Sequence, residues 1–532
     1  MRINRIVVEN FRSIQKVDFK PGPFCSLIGE NNAGKSTILR ALNLVLGEQF
    51  PTERSFEEDD FHGGNTTSPI AIEIHFDEPW DESRSSTGKV GGFRIECKAY
   101  KKKTKDKVAG ELHTDFYCLD ELGQPAGDTQ GTFYGANLRV TGAMRERAPL
   151  LYVDVLRDYS RHQPSTRWSM LRRIVDQLAA LFKNDKTTIK VMLPDGTTKG
   201  MSREEAYQHH MNQAFHVLQT DGLRDLQDKL ERNALEQMGL DAGAGEIRLH
   251  FSGYDPAMAF RNLELVVEQL GITSRAEDVG AGLQSAIVVA IFRTYEELRR
   301  GGAIFAIEEP EAFLHPQKAR YFADVLERIS EAGNQVLLAT HSPYFAKLHD
   351  PQSLGVVRRD QPNGTRVIQA TTSSIAPDLK SILKIQAQVN AERSEMLFAR
   401  RVLLVEGQTE RLAIPFVLEA MGVDANREGI TVVDCDSKTA IPFFAGLART
   451  FEIPFVVLAD LDPAQDQKAT KELQAACSPE DLFLLDPDFE GVCGYSAPKR
   501  EKLTMAHKHF SQLPSDAIPQ TIGEAVERLV AK

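Results

Sequence analysis

One segment near the start of the chain has the residue types that bind nucleotide phosphates. Gly29, Gly34, Lys35 and Ser36 follow the spacing G-x-x-x-x-G-K-[ST], after a β-type run and before a helical pattern. The glycines let backbone N–H groups wrap the phosphates, the lysine neutralises the outer phosphates, and the serine hydroxyl coordinates Mg²⁺. The segment therefore predicts an ATP and magnesium site. The other residues of this loop expected to contact the nucleotide are Asn31, Asn32 and Thr37.

A later segment supplies the carboxylates that such a site needs. One apolar run ends at Glu308 and Glu309, and the next ends at His341. Glu308 stands where Mg²⁺ coordination is expected, and Glu309 is placed to orient or deprotonate the attacking water. A lone histidine is more often structural, but in this order His341 is interpreted as a sensor of the γ-phosphate. The parts of an ATP-hydrolysing site are therefore present.

A second acidic set lies near the C-terminus. Glu406 follows one apolar run, and Asp460 and Asp462 end another, two residues apart, so both can face one ion once the chain turns. Singly, each acid is an ordinary solvated loop residue; together, they repel one another unless a divalent cation neutralises them. Oxygen ligands at strand ends suit Mg²⁺ or Mn²⁺. We therefore predict a second metal site, to which later segments add Glu490 and Lys499.

The elements that must position these residues follow from the polarity pattern. The runs 70–76 and 93–100 alternate, as strands of an antiparallel sheet do. Strands and helices alternate over 247–345, which indicates a mostly parallel sheet, and a compact doubly wound α/β unit starts at 401.

Residues 165–240 have apolar positions at helical spacing, which predicts an all-helical insertion. Two interpretations stay open: a helical hairpin that packs on its own domain, and a dimerisation arm. The predicted domains are an ATPase N-terminal part at 1–160, the insertion at 161–245, an ATPase C-terminal part at 246–390 and a last domain at 391–532.

The composition is that of a folded chain of several structural units. Its 532 residues are 42% hydrophobic and 26% charged. A net charge of −12 argues against a generally basic nucleic-acid binder, although a local basic face remains compatible with it. The six cysteines have neither disulfide-framework nor zinc-ligand spacing. With no apolar run long enough to cross a bilayer, we expect a cytoplasmic protein that does not associate with membranes.

Four segments together resemble the ABC-type ATPases of the RecF/SMC class: NFRSI, GENNAGKST, EEPEAFLHP and THSP. In that class a signature segment of one subunit completes the ATP site of another, which implies at least a dimer. VGAGLQSA is the candidate signature, although it departs from the usual L-S-x-G-x-Q form, and Glu308 replaces the usual aspartate. The signature residues that could reach the γ-phosphate are Gly280, Gly282, Gln284 and Ser285.

The C-terminal acids resemble a Toprim domain, which is marked by a glutamate after the first strand and a D-x-D after a later one. An ABC-type ATPase with a helical insertion, followed by a C-terminal Toprim α/β domain, is the arrangement of the OLD (overcoming lysogenization defect) nuclease family, to which Gabija-type anti-phage nucleases are related. In OLD proteins such an insertion often mediates dimerisation.

Asp434 and the pair Ser437–Lys438, after a third apolar run, are interpreted as structural or as DNA contacts.

This resemblance implies a two-metal nuclease. Glu406 and Glu410, one helical turn apart, would help to hold one ion. Asp460 and Asp462 would lie between or beside the two ions. Lys499 would offset charge on the transition-state phosphate. The carboxylates that would hold the ions are Glu406, Glu410, Asp460, Asp462 and Glu490.

The favoured function is therefore an ATP-regulated, divalent-metal-dependent DNA endonuclease or nickase in prokaryotic anti-phage defence or DNA processing. The alternative is an ATP-driven DNA clamp or sensor with a non-cutting Toprim-like domain, against which the full acidic set argues. A primase or topoisomerase is less favoured, because neither a zinc module nor a gating tyrosine is evident. Expected partners are DNA and a second copy of the chain; a helicase or another defence protein is a further candidate.

Overall fold

The computed structural model describes residues 1–100, 110–130, 136–155, 163–166, 169–237, 255–298, 302–346, 352–360, 364–370, 392–461, 467–496, 498 and 500–532. The chain forms two compact units. One consists of residues 1–155 and 301–532, and the other of residues 156–300. The second unit is longer than the predicted insertion at 161–245 and includes the candidate signature segment; the predicted domain boundaries stay predictions.

The strands are β1 (Ile3–Phe11), β2 (Ile14–Phe19), β3 (Phe24–Gly29), β4 (Ile70–Trp80), β5 (Val90–Ala99), β6 (Leu112–Asp120), β7 (Leu150–Val153), β8 (Thr188–Met192), β9 (Thr198–Ser202), β10 (Val266–Gln269), β11 (Ile272–Arg275), β12 (Ile304–Glu308), β13 (Gln335–Ala339), β14 (Leu354–Asp360), β15 (Gly364–Gln369), β16 (Arg401–Val405), β17 (Ile430–Asp434), β18 (Phe455–Asp460) and β19 (Leu482–Leu485).

The helices are α1 (Lys35–Leu46), α2 (Gly142–Arg145), α3 (Met170–Asn184), α4 (Arg203–Leu218), α5 (Asp221–Gln237), α6 (Pro256–Arg261), α7 (Ala281–Leu298), α8 (Pro316–Glu331), α9 (Gln408–Ala420), α10 (Ala425–Glu428), α11 (Ile441–Thr450), α12 (Gln467–Ala476), α13 (Phe489–Val492), α14 (Lys502–Phe510) and α15 (Gln520–Ala531).

A large mixed sheet contains the strand that leads into the phosphate-loop motif. Within the described residues it has eleven strands in the order β6-β5-β4-β1-β2-β15-β14-β3-β13-β12-β7. The half from β6 to β15 pairs antiparallel, which confirms the prediction for β4 and β5. β14, β3, β13, β12 and β7 run parallel. Their carboxyl ends therefore meet at one edge, where parallel sheets bind ligands.

The C-terminal part of the first unit has a four-stranded parallel sheet with the order β17-β16-β18-β19. Alternate residues of β16 enter different cores: Val402 and Leu404 pack with Phe444 of α11, and Leu403 and Val405 pack with Ile414 of α9. The strand is apolar on both faces because helices cover both, as the sequence predicts. The first of these cores also contains Ile28, Leu354 and Val356 of the ATPase sheet.

The second unit contains α3 to α7 and two hairpins, β8–β9 and β10–β11. The prediction of an all-helical insertion is therefore wrong at 188–202. Between the two strands of the first hairpin, Gly196 has a φ of +80°, and the Asp195 carboxylate accepts a hydrogen bond from the Thr197 N–H at 2.9 Å. A Pro-Asp-Gly turn between β-branched runs is a hairpin signal, and it outweighs the helical pattern around it.

Two candidate active sites

The phosphate loop contains two glycines at positions where the backbone leaves no room for a Cβ atom. Gly29, the last residue of β3, has a φ of +142°, and a Cβ there would lie 2.1 Å from the Val357 carbonyl oxygen. Gly34 has a φ of +111°, and its Cβ would lie 2.3 Å from the Thr365 hydroxyl. That hydroxyl instead donates to the Ala33 carbonyl at 2.8 Å. The neighbouring strands β14 and β15 therefore hold the loop, a role that the motif did not reveal.

Lys35 lies inside this loop. It is 4% exposed, and its Nζ donates to the carbonyls of Gly29 at 3.0 Å and Glu30 at 2.8 Å. Burial lowers the pKa of Lys35 to about 8, although Glu309 and Glu311 oppose the shift. The ammonium is therefore charged at neutral pH. Ser36 and Thr37 follow in the first turn of α1, whose N-terminus favours anions.

Glu308 ends β12 with 4% of the residue exposed. The Tyr152 hydroxyl on the neighbouring strand β7 donates to it. Burial, and next the Glu308 carboxylate, raise the pKa of Tyr152, so the phenol stays protonated. Tyr152 thus orients the predicted Mg²⁺ ligand. No local sequence pattern predicts this contact, because the pairing of β7 with β12 joins distant segments.

Glu309 and His341, two of the predicted residues of the ATP site, lie beside each other. His341 Nε2 is 3.3 Å from Glu309 Oε1. Burial, and next the charge of Glu311, raise the pKa of Glu309 to about 7. Burial, and next the charge of Lys35, lower the pKa of His341, which favours neutral imidazole at pH 7. Glu309 therefore has proton affinity suited to a general base near neutrality.

Glu311 is a site residue that sequence reasoning missed. Its carboxylate accepts hydrogen bonds from the Thr340 hydroxyl at 2.8 Å and from the His341 N–H at 2.8 Å. It therefore fixes the segment that carries His341 against the end of β12. The available signal was the third acid of the E-E-P-E run.

The candidate signature residues lie in the second unit, around the start of α7. The Gln284 side-chain amide donates to the carbonyls of Glu277 at 2.8 Å and Val279 at 2.9 Å, and Ser285 is buried. Gly280 has open space where a Cβ would be. In the single chain, Gln284 therefore orders its own helix start. The action of this segment, including Gly282, on another subunit's nucleotide stays a prediction.

The Toprim acids converge at the carboxyl ends of the parallel strands. Glu406 follows β16, and Glu410 lies in the first turn of α9, 7% exposed, where its carboxylate accepts from the Gly407 N–H at 3.1 Å. Burial raises the pKa of Glu410, and the charges of Glu406 and Glu490 raise it further. Like charges are thus crowded at this edge.

Asp460, at the end of β18, accepts a hydrogen bond from the Phe489 N–H at 2.8 Å. Glu490 forms an ion pair with Lys502 of α14, with Nζ 2.7 Å from Oε1. The pKa of Lys502 is raised by Glu490 first, and also by Glu410 and Asp460. Lys502 is therefore a cation of this acidic centre that the sequence analysis missed.

Asp462 and Lys499, two of the predicted site residues, lie outside the described residues. Over the part of the chain that the structure does describe, no three histidine, cysteine, aspartate or glutamate side chains are already grouped closely enough to hold a metal ion. The oxygen-only donors and the repulsion around Glu410 nevertheless fit Mg²⁺ or Mn²⁺, since a divalent cation would relieve that repulsion.

Asp434 belongs to a buried ion network. Its carboxylate contacts Arg393 at 2.8 Å and Arg411 at 3.0 Å. Hydrogen bonding to these guanidinium groups holds the pKa of Asp434 below its usual value despite burial. This arrangement supports the structural interpretation of Asp434 over the DNA contact.

Comparison with known proteins covers both parts of the chain. A family model described as "Overcoming lysogenization defect protein-like, TOPRIM domain" matches residues 397–462. A model of the AAA ATPase domain matches residues 1–122 and 170–346. Among the described residues, no helix is both long and apolar enough to cross a membrane.

Curated relatives match over most of the chain. The OLD nuclease of Thermus scotoductus is 31% identical over 94% of this chain and 93% of its own length. The Old nuclease of Escherichia phage P2 is 23% identical over 87% of this chain and 77% of its own length. Endonuclease GajA of Bacillus cereus is 24% identical over 32% of this chain and 28% of its own length.

Proposed function

This chain belongs to the OLD family, as a nuclease with an ATPase domain, and from that premise we propose that it cuts DNA with divalent metal ions under the control of ATP. The observation that carries the proposal is the convergence of Glu406, Glu410, Asp460 and Glu490 with Lys502 at one sheet edge. We assign the activity to prokaryotic anti-phage defence or DNA processing, the settings that the resemblance implies.

In this proposal, the carboxylates named above hold two ions together with Asp462. When bound, such ions activate a water and stabilise the leaving oxygen of the phosphodiester. Lys502 contributes a positive charge beside Glu490, where charge on the phosphate would develop. Lys499 stays a second candidate for that role.

At the ATP site, Lys35 binds the outer phosphates, and Glu308 with Ser36 holds the Mg²⁺ ion. Glu309 accepts the proton of the attacking water, because its pKa is raised to about 7. His341 then contacts the γ-phosphate from a position that Glu311 fixes. The signature residues of a second copy complete the site, which makes the dimer the active unit.

Control of cutting by ATP is supported by an ion pair between the phosphate loop and the Toprim domain. Arg400, directly before β16, contacts both Glu30 carboxylate oxygens, at 2.6 and 3.1 Å. The pair borders a cavity of about 380 Å³ that is lined by the phosphate loop, the end of β14 and residues 397–400. Arg358 also lines it, with a buried Nε that has no hydrogen-bond partner among the described residues. Phosphates in the loop would compete with Glu30 for these arginines.

The direct test is cleavage of supercoiled plasmid with Mg²⁺ or Mn²⁺. The wild type should nick or linearise the plasmid, and Asp460→Ala should lose this activity. Asp516→Ala, an exposed aspartate of the same domain, is the matched control and should cut normally. A wild type that leaves the plasmid intact with every metal and nucleotide would contradict the proposal; ATP-dependent DNA binding without cutting would favour the clamp.

A further inference from the structure

A buried lysine lies behind the D-x-D turn of the Toprim domain. Lys438 opens the 3-10 turn Lys438–Ala440 between β17 and α11 and is 2% exposed. Its Nζ donates to the Leu461 carbonyl at 3.2 Å. Leu461 is the residue between the two aspartates of D-x-D, so this ammonium contacts the backbone of the D-x-D segment.

The same turn is anchored from other sides. The Leu461 N–H donates to the Leu485 carbonyl of β19 at 2.8 Å, and the Asp460 carboxylate accepts from the Phe489 N–H at 2.8 Å. Thr470 Oγ1 lies 3.5 Å from the Leu461 carbonyl, at the outer limit for a hydrogen bond. Lys438 therefore makes the shorter of the two side-chain contacts to this carbonyl.

The use of a lysine here needs a reason, because a neutral donor would satisfy a carbonyl at lower desolvation cost. Burying an ammonium is expensive unless anions lie nearby. At the end of β18, Asp460 belongs to the acidic centre that also raises the pKa of Lys502, and its neighbour Leu461 accepts the hydrogen bond from Lys438. A cation held behind the turn fits a position where acids must stay close together before any ion binds.

We propose that Lys438 is a positioning residue of the nuclease centre. Its ammonium holds the Leu461 peptide, and so fixes the direction in which Asp460 projects toward the metal ions. This inference rests on the proposed nuclease function. Without this hydrogen bond the Leu461 peptide is held less firmly, and the ions bind more weakly. Outer partners of metal ligands typically contribute about 10- to 100-fold in metal affinity or activity.

The test compares Lys438→Met, which removes the donor but keeps the length, with Lys438→Arg, which keeps both donor and charge. Mn²⁺ binding to nucleotide-free protein is followed by the electron paramagnetic resonance signal of free Mn²⁺, and plasmid nicking is titrated with Mn²⁺. The methionine variant should bind Mn²⁺ about 10-fold more weakly or worse, with a matching shift in the nicking titration. The arginine variant should recover most of the affinity. Lys471→Met, an exposed lysine on α12, is the matched control.

Unchanged Mn²⁺ affinity in the methionine variant would overturn the proposal. Tighter binding would also overturn it, because Lys438 would then only repel the ion. If circular dichroism shows that the methionine variant is unfolded, Lys438→Leu with Lys438→Arg repeats the comparison. Weaker Mn²⁺ binding in the leucine variant and recovery in the arginine variant support the positioning role of Lys438, and wild-type affinity in both contradicts it. A wild type that binds Mn²⁺ but does not cut would count against the nuclease proposal alone.

Discussion

Glu309, which is half-buried, and Glu410, which is buried, both have a raised pKa, but their surroundings differ. Glu309 lies beside His341 and near Lys35, so a proton can be exchanged at neutral pH. Glu410 lies among other acids, with Glu406 and Glu490 as the contributing charges. The first environment suits proton transfer, and the second suits a divalent cation.

Lys35 should make ATP binding depend on pH. Its pKa of about 8 in the free protein will rise when phosphates bind, because their charge favours the ammonium. Binding then takes up a proton, and affinity falls as the pH rises through 8, approaching about tenfold per pH unit. Calorimetry in buffers of different ionisation enthalpy between pH 7 and 9 measures both effects. ATP affinity that stays constant from pH 7 to pH 9 would contradict the assignment of Lys35 as the lysine that binds the ATP phosphates.

Glu311→Gln should slow ATP hydrolysis far more than it changes ATP binding at pH 7. The substitution weakens the hydrogen bonds that hold Thr340 and His341, and it removes a charge that raises the pKa of Glu309. We expect turnover to fall roughly 10- to 100-fold, as misplacement of a catalytic group does. Phosphate-release assays and equilibrium ATP binding separate the two quantities. Glu331→Gln, exposed at the end of α8, is the control; equal turnover in both variants would refute the role of Glu311.

At the scale of elements, the strands that end in site residues could be predicted because each is a short apolar run before a polar residue. β3, β12, β13, β16 and β18 are all such runs. The hairpin β8–β9 could not be predicted by a search for helical spacing, because a local Pro-Asp-Gly turn decides it. The partners Tyr152, Thr365 and Lys502 could not be predicted either, since each joins its site through tertiary pairing.

The last helix, α15, is tied to the Toprim sheet by Asp481. Its carboxylate contacts Arg528 at 2.9 Å and Lys532 at 2.7 Å, and these partners lower its pKa against the effect of burial. A carboxyl whose pKa is lower in the folded state stabilises the fold above its unfolded pKa, and this contribution is lost as the pH falls through the folded pKa.

Asp481→Asn should therefore destabilise the protein at pH 7 by about 1 kcal/mol, and the loss should shrink below pH 4. Thermal unfolding of the variant and the wild type over this pH range measures the difference. Asp516→Asn is the exposed control. A decrease in melting temperature that is equal at pH 7 and below pH 4 would show that packing, and not the ion pairs, accounts for it.

At the scale of the whole molecule, the ion pair between Glu30 and Arg400 joins residues 370 positions apart in the chain. Glu30 occupies a variable position of the phosphate-loop motif and Arg400 belongs to no motif, so the sequence does not predict their contact. Their contact joins the phosphate loop to the residue directly before β16, the strand that leads to Glu406. We therefore expect it to influence how nucleotide affects cutting.

Arg400→Gln should keep ATP binding and metal-dependent nicking but weaken the dependence of nicking on ATP. The reason is that the glutamine cannot exchange an ion pair with Glu30 for one with phosphate. Glu30→Gln should have the same effect, and the double variant should add little, because both changes remove one interaction. Nicking rates with and without ATP measure this coupling. Additive effects of the two substitutions would indicate that the ion pair between Glu30 and Arg400 does not couple ATP binding to nicking.

The most direct test of ATP control is the nicking rate of supercoiled plasmid as a function of ATP, for the wild type and for Lys35→Ala at the same Mn²⁺ concentration. We expect ATP to change the nicking rate of the wild type, in either direction, and Lys35→Ala to cut at a rate that does not respond to ATP. Control by ATP would be contradicted if the nicking rates of the wild type and Lys35→Ala responded equally to ATP, or if the rate of the wild type did not respond at all.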